Sequence, residues 1–302
     1  MGQSSSKKYD TALCFVYFNP SKSKRILMNY LYTLNRLHKY PCYTLELTFN
    51  DKQPEIPTSS NVFHVKSQSY MFHKERLCRL LETKIPKKYK KIVFLDADII
   101  FSDASWYSQM SKKLDIYDVV QGFEFAHWFD LTYKNVMLTR EPSAKFDNEV
   151  FSHELHPGFI WGFRREWYNK VGFFDWAVSG SGDTLSVAGW KKQKFDKYFK
   201  SLPLSIKSVY EEFCTIKRPK MSFLENIHIF HLYHGSRINR QYVDRHNMLN
   251  IARDIRTLIK VNKHGVYEWV DNKTWNPKML SYFNTRNDDG VEIIETLQKT
   301  TS

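Results

Sequence analysis

Between Lys91 and Phe101 the chain reads Lys91-Ile92-Val93-Phe94-Leu95-Asp96-Ala97-Asp98-Ile99-Ile100-Phe101. Apolar residues that run on continuously, instead of alternating, predict a strand buried on both faces, and such strands belong to α/β sheets with helices on either side. The two carboxylates begin where the apolar run stops, which places them at the carboxyl end of that strand. Ligands of open α/β sheets gather at such ends. One stretch therefore sets both the expected layers and the place to look for chemistry.

The preceding residues fit a strand–helix alternation. Thr11 to Tyr17 is a β-rich apolar run that stops at Phe18-Asn19-Pro20, after which Ile26, Leu27, Tyr30, Leu31, Leu34 and Leu37 recur at helical spacing. Strands are expected at Tyr43 to Phe49 and Val62 to Val65, and a helix at His73 to Lys84, closed by Pro86. Further on, a Trp- and Phe-rich middle leads to a Gly-rich loop at Ser179 to Gly182 and a helix through Trp190. An apolar strand near Ile227 to Leu232 ends in histidines, and Ile238 to Ile259 reads as one long helix. The polar tail from Asn284 is expected to fray, with Val291 to Leu297 able to add a helical turn or two.

The charge narrows the partners. Lys and Arg number 45 against 32 Asp and Glu, a formal +13, which favours an anionic partner: a nucleotide diphosphate, a membrane surface or a nucleic acid. The basic residues fall in separate runs, Lys22 to Arg25, Lys87 to Lys91, Lys191 to Lys197 and Lys217 to Lys220, as solvated helix ends and loops also do. Cys14, Cys42, Cys78 and Cys214 are widely spaced without a CxxC pair, so neither a zinc site nor a disulfide framework is indicated and a reducing compartment fits. No apolar signal core or membrane-spanning stretch is present, so a cytoplasmic enzyme is expected. Met1-Gly2-Gln3-Ser4-Ser5-Ser6 with Lys7-Lys8 satisfies the N-myristoylation form; one acyl chain at Gly2 would give weak membrane association, and a disordered polar start is the competing explanation.

Two carboxylates one residue apart on a loop leaving a buried strand can hold a Mg²⁺ or Mn²⁺ ion, one directly and the other directly or through water. An ion so held neutralises a leaving diphosphate. By itself the DxD pattern is common, and a solvated loop is its ordinary explanation. A phosphatase-like strand end would need a hydroxyl or valine where Ile100 stands, and a nucleotidyltransferase would open on a Gly-rich phosphate loop, whereas Tyr17-Phe18-Asn19-Pro20-Ser21 has no glycine. A basic nucleic-acid-binding protein would leave the carboxylate pair unexplained.

Lys91 to Ile100 resembles the DxD strand of the GT-A glycosyltransferases, and two further blocks are similar to segments of their inverting members. The first is His156-Pro157-Gly158-Phe159-Ile160-Trp161-Gly162-Phe163-Arg164-Arg165-Glu166, continuing through Gly172-Phe173-Phe174-Asp175-Trp176 to Gly180-Ser181-Gly182-Asp183. The second is His231-Leu232-Tyr233-His234-Gly235-Ser236-Arg237 with Arg240, Tyr242 and Arg245. Phe173 departs from the family's second glycine, and nothing after residue 260 takes part.

The resemblance implies a GT-A (Rossmann-like) mixed sheet flanked by helices: a flexible start over 1–10, a catalytic domain over 11–260 and a helical C-terminal extension over 261–302. It implies transfer of a sugar, with inversion, from a nucleotide-diphosphate donor (a UDP-sugar favoured) to a glycan, glycoprotein or other hydroxyl acceptor, with Mn²⁺ or Mg²⁺ and without specific nucleic acid. Asp183 then suits the base that takes the acceptor's proton, and equally an N-cap for the helix that follows; the two roles are compatible. His231 and His234, with His231 preferred, resemble the ligand that completes the ion site of Asp96 and Asp98, while His228 suits packing. On the donor side stand Phe18, Asn19, Lys74, Arg76, Ala97, Arg237 and Arg240, with ordinary surface charge as the competing role for Lys74 and Arg76. His156, Trp161 and Trp176 are the acceptor candidates, core packing competing for the two tryptophans.

Overall fold

A computed structural model of the protein describes residues 9–195, 203–241, 244–247 and 249–290. The Gly2 motif, Tyr242, the end of the Lys191 to Lys197 run and the Val291 to Leu297 turn lie outside them.

The chain begins β1 (Thr11–Phe18), α1 (Lys24–Leu37), β2 (Cys42–Phe49), β3 (Val62–Ser67), α2 (Lys74–Glu82), β4 (Lys91–Leu95) and β5 (Ile99–Phe101). Then come α3 (Trp106–Lys113), β6 (Val119–Gln121), β7 (Phe125–Phe129), β8 (Val136–Arg140), β9 (Ile160–Arg164), α4 (Arg165–Lys170) and α5 (Gly182–Lys191). A helix at Leu204–Phe213, β10 (Met221–Phe223), β11 (His228–His231), β12 (Ile259–Val261), β13 (Tyr267–Trp269) and a C-terminal helix at Asn272–Thr285 complete it.

Seven strands form one sheet in the order β10-β6-β9-β4-β1-β2-β3. β1 pairs in parallel with both β2 and β4, while β9 runs antiparallel between β4 and β6. This is the α/β sheet flanked by helices that the continuous apolar run predicted, and it is mixed, as the resemblance implied. Every residue of β4 is buried. Successive residues of β1 and β4 feed opposite sides: Ala12, Cys14, Ile92 and Phe94 join a core under α2, α5 and the C-terminal helix, while Leu13, Phe15, Val93 and Leu95 join one under α1 and α3. At roughly 1.5–3 kcal/mol for each large apolar side chain removed from water, these two faces stabilise the fold more than any other part of it. Trp269, Trp275, Met279 and Phe283 belong to the first core, so the residues beyond 260 pack on the same sheet as the rest.

Local signals explain the helix ends. Ser23 Oγ accepts a hydrogen bond from Ile26 N, capping α1 three residues after Pro20. The strand order reverses between β1 and β4, since β2 and β3 extend to one side and β9 to the other. That switch point opens a crevice at the strands' carboxyl ends, where Asp96 to Asp98 stand.

The single helix expected over Ile238 to Ile259 does not form. In its place are a 3₁₀ turn at Ile238–Arg240, a helical turn at Asp244–Asn247, a 3₁₀ turn at Ile255–Thr257 and the start of β12. The apolar residues do not form one helical stripe: Ile238 is 88% exposed and Ile251 72%, while Leu249, Ile255 and Ile259 are buried at separate places along a broken path. Two polar residues, Arg245 and His246, are buried in the same stretch, and Gln241 turns the chain through the left-handed region at φ 43°. No described helix is long and apolar enough to cross a membrane.

Candidate active site and ion centre

A second sheet, in the order β5-β11-β7-β8, builds one wall of the crevice. β11 pairs antiparallel with β5 so that His231 lies opposite Ile99, and Leu232 N donates to the Asp98 carbonyl at 2.7 Å. This register places the end of β11 beside the end of β4. His234 Nε2 lies 2.9 Å from Asp98 Oδ2, His231 Nε2 lies 3.5 Å from it, and the two Nε2 atoms are 3.0 Å apart. One ligand atom from each of the three residues falls within 4.8 Å of the other two. Asp98 Oδ1 is buried and has no hydrogen-bond partner among the described residues, as expected of an oxygen awaiting a cation. A carboxylate with two imidazoles fits Mn²⁺ better than Mg²⁺, which prefers oxygen throughout.

Burial opposes charge on Asp98, but the His231 and His234 rings outweigh it and hold its carboxyl well below the ordinary range. Burial pushes His231 down in turn, against the pull of Asp98. Asp96 differs from its neighbour. Its Oδ1 pairs with Lys74 Nζ at 2.5 Å, and burial with the nearby Asp98 charge raises its carboxyl despite that partner. Lys74 reaches Asp96 because it opens α2, whose first turn faces the crevice.

The crevice is a cleft of about 670 Å³ lined by Lys74, Asp96, Asp98, His156, Asp183, His231 and His234, with Arg237 and Arg240 at its margin. Volumes of this size suit a small-molecule site. Asp183 lies in the first turn of α5, where its Oδ1 accepts from Thr184 N at 2.8 Å; the N-cap position belongs to Ser181, held at φ 69°. A Cβ at Gly158 would lie 2.7 Å from Asp183 Oδ2 and 3.2 Å from His156 Nε2, so a glycine is needed for these groups to stand so close. Burial and the charges of His231, Arg140, Lys74 and Arg237 keep His156 neutral, well below the usual histidine range.

Glu75, next on α2, presses its carboxyl against Gly182, where a Cβ would lie 2.2 Å from its carboxyl carbon. Burial, then Asp183 and Asp96 against the opposing Lys74, raises it to about 8. Arg245 buttresses the same loop from behind: it donates to Ser181 Oγ and Tyr282 Oη, each at 3.2 Å, and leaves no room for a side chain at Gly180.

Several residues expected at the cleft stand elsewhere. Trp161 is 3% exposed in the core against Trp190, its indole donating to Pro157 O at 2.8 Å. Trp176 stacks on Tyr267. Arg76 pairs with Asp175 at 3.2 Å, donates to Gly265 O and lies over Tyr267. Asn19 is a turn staple, bonded to Ser23 N, Ser23 O and Glu55. Phe18 and Ala97 line a smaller groove of about 230 Å³ on the far side of Asp96 and Asp98. His228 meets His127 at 3.0 Å across the second sheet.

Four features have no pointer in the sequence pattern. Trp128, Phe129, Met137 and Leu138, from the β7–β8 hairpin, wall the cleft opposite α2. Glu75 reads as one more helix-surface charge. Arg286 and Asp288 arrive from a polar stretch after the last helix, Asp288 within 3.5 Å of both His234 Nδ1 and Arg240 Nη2. The His234, Arg286 and Arg240 partners together overcome burial and hold the Asp288 carboxyl below its ordinary range.

No protein-family model and no curated protein matches the chain. Among solved structures, it aligns with a Drosophila β-1,4-galactosyltransferase 7 mutant in complex with manganese, UDP-Gal and xylobiose, at 10% identity and a TM-score of 0.45, over 90% of this chain and 99% of that one. It also aligns with a 4-diphosphocytidyl-2C-methyl-D-erythritol synthase from Anaerococcus prevotii (8% identity, TM-score 0.32, 80% of this chain and 96% of that one). A third is a mannose-1-phosphate geranyltransferase from Thermus thermophilus (10% identity, TM-score 0.30, 74% of each chain). At these scores the alignments carry no argument about chemistry, which rests on the geometry above.

Proposed function

We propose that the chain is a divalent-ion-dependent glycosyltransferase that moves a sugar from a nucleotide-diphosphate donor, a UDP-sugar favoured, to the hydroxyl of a glycan or related acceptor with inversion. The observation that carries this reading is the shared cleft: the Asp98, His231 and His234 cluster and the Asp183 carboxylate line the same 670 Å³. An ion at the cluster would offset the negative charge that develops on the departing diphosphate.

The remaining steps belong to side chains. Lys74, poised on Asp96, and Arg240, poised on His234, present cations to the leaving group. Asp183 takes the acceptor hydroxyl's proton as the new glycosidic bond forms and the bond to the diphosphate oxygen breaks. Glu75, kept protonated near neutral pH, adds no second negative charge beside that base. Gly158 leaves the base room to turn, and Trp128 offers the aromatic face that Trp161 and Trp176 cannot bring to the cleft. An acyl chain at Gly2 is a separable part of the reading; an unmodified Gly2 by mass spectrometry of protein from a eukaryotic host removes it.

The test is thermal stabilisation across a panel of nucleotide sugars with and without Mn²⁺, since a ligand of the native state raises its stability. Ion-dependent stabilisation by one sugar nucleotide is expected, and no shift with any sugar nucleotide and any divalent ion would sink the proposal. An Asp183→Asn protein that bound donor and kept full transfer would remove the base assignment alone.

A further inference from the structure

The groove on the far side of Asp96 and Asp98 contains a carboxylate in an unusual setting. Asp288 is 4% exposed, and two guanidinium groups share it: Arg286 Nη2 at 3.1 Å and Arg240 Nη2 at 3.5 Å, with His234 Nδ1 also at 3.5 Å. Arg286 is itself 8% exposed, and its Nε has no hydrogen-bond partner among the described residues. A buried guanidinium nitrogen left unpaired is costly, and Arg286 lines the groove together with Lys74, Asp98, His234 and Arg240. Arg240 bridges toward the ion cluster, since its Nη2 lies 2.7 Å from His234 Nδ1 and 3.4 Å from Nε2.

The carrier of Asp288 is held from its sides. Asp289 accepts from Ser23 Oγ at 2.7 Å and from Arg25 N at 2.9 Å at the start of α1. Gly235, at φ 87°, lets the carbonyls of Arg286 and Asn287 approach so closely that a Cβ there would lie 2.9 Å from each. Segment 286–290 therefore lies as a strap over the groove, leaving the last helix through Asn287 at φ 46°. Its contacts with the rest of the chain are mostly ion pairs and hydrogen bonds, joined by Arg286 over the Phe283 ring and Gly290 beside Tyr233.

We propose that Asp288 occupies the subsite of a donor phosphate, and that Arg286 with Arg240 forms the guanidinium clamp for that phosphate once the strap carries Asp288 aside. This rests on the glycosyltransferase reading for the identity of the donor. Two guanidinium groups meet on one carboxylate oxygen, each through a single Nη2, and a phosphoryl group offers further oxygens for their remaining donors, the unpaired Nε of Arg286 included. Charge agrees: Lys74 is matched by Asp96, but among the described residues Arg240 and Arg286 share the single carboxylate of Asp288. A diphosphate, with a negative charge on each phosphoryl group, matches two guanidiniums better than one carboxylate does.

The experiment is calorimetric titration of the full chain, in Mn²⁺, with UDP and with inorganic pyrophosphate. Asp288→Asn is expected to bind both more tightly than the wild type, and Arg286→Gln more weakly, each on the order of tenfold, the size of one charge-assisted contact. Hydrogen exchange of the wild-type amides over 286–290, which needs no variant and decides the matter if either variant fails to fold, is expected to speed up when UDP and Mn²⁺ are added. Weaker or unchanged binding by Asp288→Asn, or better protection of those amides with ligand, overturns the proposal and leaves Asp288 a structural ion pair. Nucleotide sugars that still stabilise the wild type in that case keep the transferase reading intact. Pyrophosphate binding with the expected variant order but no sugar-nucleotide binding keeps the clamp and removes that reading. A wild type that binds neither probe removes both.

Discussion

The seven-stranded sheet and the two segments that close the cleft, 231–241 and 286–290, are held in place by different forces. β1 and β4 send alternate side chains into two apolar cores. The closing segments bury little apolar surface beyond Leu232: Ile238 is exposed, and what fixes them is Arg240 on His234, Asp288 on Arg286 and Asp289 on Ser23. The cleft runs along the seam. Asp98 comes from the stable side and His231 and His234 from the polar side, so the ion cluster is complete only when the weaker region docks on the stronger one.

That contrast can be broken at several points. The largest effect is expected in the sheet: Phe163→Ala empties a site ringed by Phe94, Tyr168, Phe173 and Trp190 and should cost about 3–5 kcal/mol in denaturant unfolding. A loss below about 1 kcal/mol would show that the sheet core is not what chiefly holds the fold together. His234→Gln, on the polar side, should leave the melting temperature of the ion-free protein nearly unchanged while abolishing Mn²⁺-dependent stabilisation and cutting transfer about 10²–10³-fold. If Mn²⁺ stabilised that variant as well as the wild type, the ion would not sit at the seam.

Gly158→Ala tests the seam itself. The added methyl must push Asp183 or His156 aside, so transfer should fall about 10²-fold with donor binding intact. The effect that shows only as a pH dependence concerns Glu75, which belongs to the sheet side but faces the polar one. A carboxyl raised in the folded state from 4.5 to about 8 stabilises the fold fully below its unfolded value and loses that contribution as pH rises toward 8. Wild-type stability should therefore acquire a falling slope of up to about 1.4 kcal/mol per pH unit across that window, relative to Glu75→Gln. Parallel pH profiles for the two proteins would show that Glu75 is not held protonated.

The same division separates what could be read in the sequence from what could not. β1, β2, β3, β4 and α2 were legible because continuous apolar runs and helical spacing are local signals, and Asp96 and Asp98 were legible because they end such a run. The expected helix over Ile238 to Ile259 failed because its apolar residues divide, Leu249, Ile255 and Ile259 going into the core and Ile238 and Ile251 staying in solvent, along a path broken into turns. Trp161 and Asn19 look like ligand contacts in sequence, and only tertiary burial shows one filling the core and the other pinning a turn. Arg286 and Asp288 carry no local signal at all: their meaning comes from residues about fifty positions away, brought near by the path of the C-terminal helix.

The pairing of β11 also sets an order of events. β11 lies between β5 and β7, with Ile229 opposite Phe101 and His228 opposite Phe125, so its docking must close long stretches of chain. The parallel unit of β1, β2 and β4 needs only residues up to 95, whereas β11 adds its pairings only after the chain has reached residue 231. On refolding, capture of Mn²⁺ is therefore expected to lag behind the recovery of secondary structure. A chain emerging from the ribosome carries Asp96 and Asp98 well before the imidazoles that would complete the site have been synthesised.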